Sequence, residues 1–332
     1  MSAPTRRVLL ERLDARHERQ FFTEAEFAQL RALAVRLAAG AGRRLDDASP
    51  CVDAVLADGT RLHAVLPPVS GSGTLLSLRV PRRAPLALAD LEAAGSLPPG
   101  WAAVLRAVVR HRCSTLVSGG TGSGKTTLLG ALLGLVDARE RLVLVEDSGE
   151  LLPAHPHVVR LQARHGNVEG AGAVSQRELV RQALRMRPDR LVVGEVRGAE
   201  VADLLMALNS GHEGGCCTVH ANSAAAVPAR LTALAALAGM GPEVLAAQAA
   251  AGLQVVVHLR REGALRRVVE VGVVSLAAGS TSTTGQPGLV VVPALRAGRA
   301  PDHPGTREEG WGRLAELLQM APVPVQGARR AA

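Results

Sequence analysis

Gly119-Gly120-Thr121-Gly122-Ser123-Gly124-Lys125-Thr126 is the stretch that decides the fold. It has the form G-x-x-x-x-G-K-[ST]. The apolar run 114–118 before it reads as a strand, and the run to about residue 135 after it reads as a helix. Glycines let backbone N–H groups turn inward where side chains would collide, and the helix N-terminus adds its dipole. Such a loop cradles phosphates. Lys125 is placed to reach the β- and γ-phosphates, and the Thr126 hydroxyl to hold Mg²⁺. Residues Gly119 to Thr126, with Thr127 behind them, form the expected nucleotide-binding set. Lys125 is also the only lysine among 38 basic residues, the rest being arginine. A compact ammonium suits a phosphate cradle where a planar guanidinium does not.

Strands and helices alternate around the loop. Apolar runs at 142–145, 158–161, 191–193 and 216–219 read as strands, with helices expected at 101–110, 175–187 and 199–208. That rhythm predicts an α/β domain with a mainly parallel sheet covered on both faces. A hairpin is expected over 254–274 about Glu262-Gly263. Ahead of this domain the reading differs. Thr23 and Glu26 form a capping-box pattern for a helix to about residue 37, and three short strands follow, with Asp58-Gly59 as a hairpin turn. This is a smaller α+β domain. The expected organisation is 1–88 for the N-terminal domain, 89–100 for a linker, 101–275 for the ATPase domain and 276–332 for a linker and C-terminal tail with one helical piece near 311–319.

The bulk numbers bound the alternatives. The 332 residues exceed most single domains, and 47% are hydrophobic, so the chain is globular. The net charge of +8 permits anionic partners, but the arginines are scattered and aromatic residues make up only 2%, which disfavours base stacking on nucleic acid. The four cysteines form no C-x-x-C pair, and the adjacent Cys216 and Cys217 would point to opposite faces of a strand, which weakens a zinc reading with the nearby histidines. No run of about 18 apolar residues exists for a membrane span. A cytoplasmic protein follows as the expectation.

The catalytic candidates lie at strand ends, because the carboxyl ends of parallel strands face the nucleotide. Glu146 and Asp147 end one strand, and Glu195 ends another behind Gly194. Glycine at 194 removes an aspartate that many P-loop enzymes place there. Glu195 is therefore read as the water-positioning base, with Glu146 or Asp147 assisting the metal, Glu146 through water. Glu146-Asp147 as a plain helix N-cap stays open. His212 and His220 flank one short strand and are read as nucleotide sensors.

Taken with the loop, LVLVEDSGE (142–150), LRMRPDRLVVGEVRG (184–198) and LNSGHEGGCCTVHANS (208–223) resemble, in order and spacing, the ATPases of type II and type IV secretion systems, most of all the Tad/CpaF branch that assembles tight-adherence pili. The resemblance covers about 21–275, with Glu213 where the family usually has Asp. It implies a RecA-like P-loop NTPase core hinged to a PAS-like N-terminal domain, here expected to be shortened. It also implies ATP and Mg²⁺ as cofactors, a homo-oligomer of hexameric form, and docking on an inner-membrane platform without direct nucleic-acid contact. In that setting Arg79 is the expected phosphate-contacting arginine of the N-terminal domain. Arg160 and Arg164 are candidate fingers across a subunit boundary. A nucleic-acid-translocating ATPase of conjugation type and a non-hydrolysing regulatory P-loop protein are the rival expectations.

Overall fold

Every residue of Leu142–Glu146 is buried, as are all five of Thr115–Gly119, and strands sealed on both faces are what a parallel sheet wrapped by helices produces. The computed structural model describes residues 24–71, 73–80, 84–164, 172–277, 288–298, 300 and 302–320. Two units divide between Pro81 and Arg82.

In the first unit, helix α1 (Glu24–Gly40) accompanies an antiparallel sheet of β1 (Cys51–Val55), β2 (Arg61–Val65) and β3 (Leu75–Arg79) in the order β1-β2-β3. Val52, Ala54, Leu62 and Ala64 alternate inward onto Leu33, Ala34, Leu37 and Ala38. Asp58 Oδ1 accepts the Thr60 N–H at 3.0 Å, and Gly59 takes a positive φ of 81°, which closes the expected hairpin. Thr23 of the expected capping box lies outside the described residues.

The second unit holds one nine-stranded sheet. Its parallel part is β9 (Val255–Glu262), β4 (Thr115–Gly119), β8 (Cys216–His220), β7 (Arg190–Val193), β5 (Leu142–Glu146) and β6 (Val158–Gln162), side by side in that order. Strands β10 (Leu265–Ala277), β11 (Gly288–Arg296) and β12 (Thr306–Arg307) extend it antiparallel beyond β9. One face is covered by α2 (Leu88–Ala93), α3 (Trp101–Arg110), α4 (Lys125–Leu133) and the C-terminal α9 (Trp311–Leu317). The other carries α5 (Gln176–Ala183), α6 (Glu200–Leu208), α7 (Val227–Ala236) and α8 (Pro242–Gly252). This is the mixed α/β, parallel-rich sheet that the alternation predicts for a RecA-like core.

Two expected boundaries are corrected. The segment 89–100 is no free linker: Leu88 and Leu97, 1% and 3% exposed, are part of the core beneath α3. Nor does the core end at 275. That position falls inside β10, which pairs with β11 from Glu270 to Ala277, and Trp101 Nε1 donates to the Pro304 carbonyl at 2.8 Å. The residues beyond the Ser/Thr-rich stretch are thus built into the second unit. Most of that stretch lies outside the described residues.

Candidate active site

Parallel register places the carboxyl ends of β4, β8, β7 and β5 on one edge of the sheet. Gly119 pairs with His220, Val193 with Cys217, and Val145 with Val193. Everything chemical that follows these strands converges there.

Gly119 has a φ of +155°, and a Cβ on it would meet the Leu259 carbonyl oxygen and Ser123 Oγ, each at 2.5 Å. No other residue fits that turn. Gly124, with φ +96°, then opens α4. Lys125 is 7% exposed. Its Nζ donates to the carbonyls of Gly119 and Gly120, both at 3.1 Å, and stands 3.4 Å from the His220 ring nitrogens. Burial pushes its pKa below the ordinary lysine value; Glu195 opposes the shift, and Arg197 adds to it. Ser123 Oγ is buried and has no hydrogen-bond partner among the described residues. A glycine turn closed to a Cβ at 119, a buried cation and an orphaned hydroxyl are the donor set a nucleotide phosphate needs, and the Thr126 hydroxyl on the first turn of α4 suits its Mg²⁺.

Glu195 is held by its surroundings. His220 Nε2 lies 2.7 Å from its Oε1, and Arg197 Nη2 donates to its Oε2 at 2.7 Å. The His220 contact is not aligned as a hydrogen bond, so Oε1 remains a buried acceptor without one. Gln176 Nε2 fixes the Glu195 carbonyl at 2.8 Å, Thr218 Oγ1 donates to the Gly194 carbonyl at 2.8 Å, and the Val196 N–H bonds the Thr218 carbonyl at 2.8 Å. Burial raises the Glu195 carboxyl pKa, but the Arg197 hydrogen bond and the charges of Arg197, His220 and Lys125 outweigh it, and the net shift is downward. His220 is shifted below its ordinary value by burial first and then by Lys125, with Glu195 opposing.

Glu146 is 4% exposed, and its Oε1 accepts the N–H groups of Glu150 and Leu151 at 2.9 and 2.8 Å. No helix follows β5, so Glu146 holds a loop rather than capping a helix. Burial raises its pKa against those two bonds and against Arg160. Its Oε2 is the oxygen left to face outward, 3.9 Å from Arg160 Nη1. The glycine at 194 has a packing cause: a Cβ there would sit 2.8 Å from Glu146 Cγ.

The remaining expected residues divide. Asp147 joins the site through Arg197 Nη1, 3.7 Å away. Arg160, on β6, is engaged with Glu146 and with the Leu151 carbonyl of its own chain. Arg164 is bound to the Gly172 carbonyl and bridged to Val174. Arg79 ends β3 on the separate N-terminal unit. His212 is corrected: it precedes β8, at the opposite end of the strand from His220, and its Nδ1 binds the Ala207 carbonyl at 3.2 Å behind α6. The strand that joins the two histidines in sequence separates them in space. Arg197 is the residue the sequence reading missed, and its spacing of two from Glu195 was the available signal, since that places both on one side of an extended segment.

Residues 3–277 match the type II/IV secretion system protein family. The chain belongs to that family. Among its relatives, the putative conjugal transfer protein Rv3659c of Mycobacterium tuberculosis is 57% identical over 262 residues, covering 77% of this chain and 74% of that one. The type IV secretion system protein PtlH homolog of Bordetella bronchiseptica is 39% identical over 273 residues, covering 73% and 80%. The X-ray structure of the Yersinia pseudotuberculosis ATPase DotB superposes with a TM-score of 0.50 at 18% identity, over 80% of this chain and 67% of that one, which establishes a shared fold. The family match begins at residue 3, ahead of the region around 21 where the motif resemblance starts. No helix among the described residues is long and apolar enough to cross a membrane.

Proposed function

We propose that this secretion-family chain is an ATPase that converts Mg-ATP hydrolysis into motion of a type II or type IV secretion apparatus. One observation carries the reading: Lys125, His220, Glu195 and Arg197 form a connected cluster on the strand edge that bears the phosphate loop. Lys125 exchanges its two carbonyl partners for phosphate oxygens. Glu195 orients a water through its unbonded Oε1 and takes its proton as the water oxygen attacks the γ-phosphorus and the bond to the β–γ bridging oxygen breaks, leaving ADP and phosphate. Arg197 keeps that carboxylate ionised and aimed. His220 touches both Lys125 and Glu195, and so registers whether phosphate has drawn the lysine away. Thr126 would hold magnesium, with Glu146 reaching it through water, and the ion would supply positive charge to the phosphates. Arg79, Arg160 and Arg164 are the candidates for contacts completed by the N-terminal domain or by a neighbouring copy in a hexameric ring on an inner-membrane platform.

The test is steady-state ATP hydrolysis by the purified protein against Lys125→Ala and Glu195→Gln. Loss in both, with nucleotide binding kept in Glu195→Gln, supports the reading; equal turnover in all three sinks it. The finer reading is a tight-adherence pilus motor, supported by the motif resemblance. The conjugal transfer name carried by a 57% identical relative supports DNA export as the alternative cargo. Cells bearing Lys125→Ala, scored for surface pili and for DNA transfer, separate the two.

A further inference from the structure

Strand β9 is apolar from Val255 to Leu259 except at His258, which is buried at 3% exposure. A polar ring in a sheet interior is costly if its nitrogens go unpaired, where a leucine would cost nothing of the kind. The ring meets polar partners here. Ser118 and His258 are direct register partners across β4 and β9, and Ser118 Oγ lies 2.9 Å from His258 Nδ1. The ring also faces the backbone of Asn222, which favours a proton on it. Burial lowers its pKa to about 4, so the imidazole is neutral and has one N–H to give. With that N–H on the side of the Asn222 backbone, Nδ1 is free to accept the Ser118 hydroxyl.

The two partners sit at informative places. Ser118 immediately precedes Gly119, the first residue of the phosphate loop, whose carbonyl receives the Lys125 ammonium. Asn222 comes two residues after His220, which reaches Lys125 and Glu195. The next residue of β9, Leu259, has the carbonyl that fills the space behind Gly119. One side chain therefore closes a circuit from the phosphate loop, through β9, to the segment that follows His220 and back to the lysine.

We propose that His258 is a positioning residue that ties the His220–Asn222 segment to the phosphate-loop strand, so that His220 stays within reach of both Lys125 and Glu195. It touches neither nucleotide nor water. It acts by holding His220 in register, and so it governs turnover more than nucleotide affinity. This rests on the ATPase reading for its kinetic arm only; its structural arm is independent.

The experiment uses the full-length chain with His258→Leu, His258→Gln and Ser118→Ala. Turnover, affinity for a fluorescent ATP analogue, and amide exchange by mass spectrometry are measured on each. His258→Leu is expected to lower kcat on the order of 10- to 100-fold, the scale of a misplaced catalytic constellation, with analogue affinity held within about twofold. Exchange rises in the 216–226 peptide and stays unchanged in β5. His258→Gln, which keeps a donor at the reach of Nε2, recovers most of the loss, and Ser118→Ala gives a smaller effect of the same kind. Parallel loss of affinity and turnover with faster exchange in β5 and β7 means a plain core histidine and overturns the proposal, as does unchanged exchange at 216–226 in His258→Leu. Should the wild type itself show no turnover, the ATPase reading falls while the exchange pattern still decides the tie.

Discussion

His220 Nε2 lies 2.7 Å from Glu195 Oε1, while the same ring stands 3.4 Å from the Lys125 ammonium. One imidazole thus touches both Lys125, proposed to bind phosphate, and Glu195, proposed to activate water. Replacing His220 with alanine leaves the phosphate loop intact and removes only this link. The expected outcome is a kcat reduced on the order of 10- to 100-fold, the scale of a lost positioning or acid–base group, with analogue affinity nearly unchanged. Single-turnover hydrolysis beside a binding titration checks it; a fall in affinity matching the fall in kcat would assign His220 to binding instead.

In the proposed reaction Arg197 is expected to set the pH range. Its hydrogen bond and charge hold the Glu195 carboxyl below the value that burial alone would give. A base works only when deprotonated, so removing the arginine raises its pKa and moves the acid limb of the pH–rate profile to higher pH. Arg197→Gln is expected to lose activity first on the acid side and to recover part of it as the pH is raised. A profile whose acid limb stays where the wild type has it rules this role out.

The site was legible where chemistry fixes residue types at fixed spacing, and illegible where it does not. A phosphate loop needs glycines of particular conformation at set positions, so Gly119 to Thr126 could be placed from sequence. Glu146 and Glu195 could be placed because each ends an apolar run. Arg197 was missed because its one signal, the spacing of two from Glu195, is easily lost in a chain with so many arginines. Flanking one strand suggested that His212 and His220 share a site, but the two ends of a strand lie apart, and only His220 stands at the end that bears the phosphate loop. Strand β11 went unpredicted because Pro293 interrupts GLVVVPALR; it is tolerated opposite Gly272, where the β10–β11 register shifts and no ladder bond is required of it. Helices α7 and α8 lie in an Ala-rich stretch with no clear apolar stripe, and tertiary packing onto the sheet defines them.

Gly194 gives a sharp test of the unusual strand end. A Cβ at 194 would lie 2.8 Å from Glu146 Cγ, and Glu146 cannot retreat without breaking its bonds to the Glu150 and Leu151 amides. Gly194→Ala is expected to cost about 1–3 kcal/mol by overpacking and to lower turnover through a displaced Glu146. Gly194→Asp, which restores the acid common in other P-loop enzymes, is worse, because it adds a second buried carboxylate beside the first. Denaturant unfolding of both variants checks the order; a fully stable Gly194→Asp protein would refute the packing account.

Acid should weaken the fold through His258. Its folded pKa is about 4 and its ordinary value 6.5. Between these the unfolded chain binds a proton that the native chain does not, so stability falls as pH drops from 6.5 towards 4 and is fully present above that window. The shift corresponds to about 3 kcal/mol at the lower limit. Unfolding free energies at pH 7.5 and 5, compared between wild type and His258→Gln, isolate this contribution: the variant should show the shallower decline.

The C-terminal strands are the last point at which sequence and structure part, and they are testable by truncation. Removing everything after Ala277 strips β11 from β10 and leaves a long strand as a sheet edge, with its N–H and C=O groups open to pairing with other chains. It also uncovers the surface under Trp311, Leu314 and Leu318, which are 4%, 0% and 1% exposed, and takes away the Pro304 carbonyl from Trp101. Burial of each large apolar side chain contributes about 1.5–3 kcal/mol, so these three with Leu289 and Leu295 account for roughly 8–15 kcal/mol, as much as the whole stability of an ordinary domain. The truncated chain is expected to aggregate on expression. Trp311→Ala in the full chain is expected to remain folded with a lowered Tm, because it removes one of these contacts and leaves the β10–β11 pairing in place. A soluble truncated chain with wild-type thermal stability would show that the ATP-binding core ends, after all, at β10.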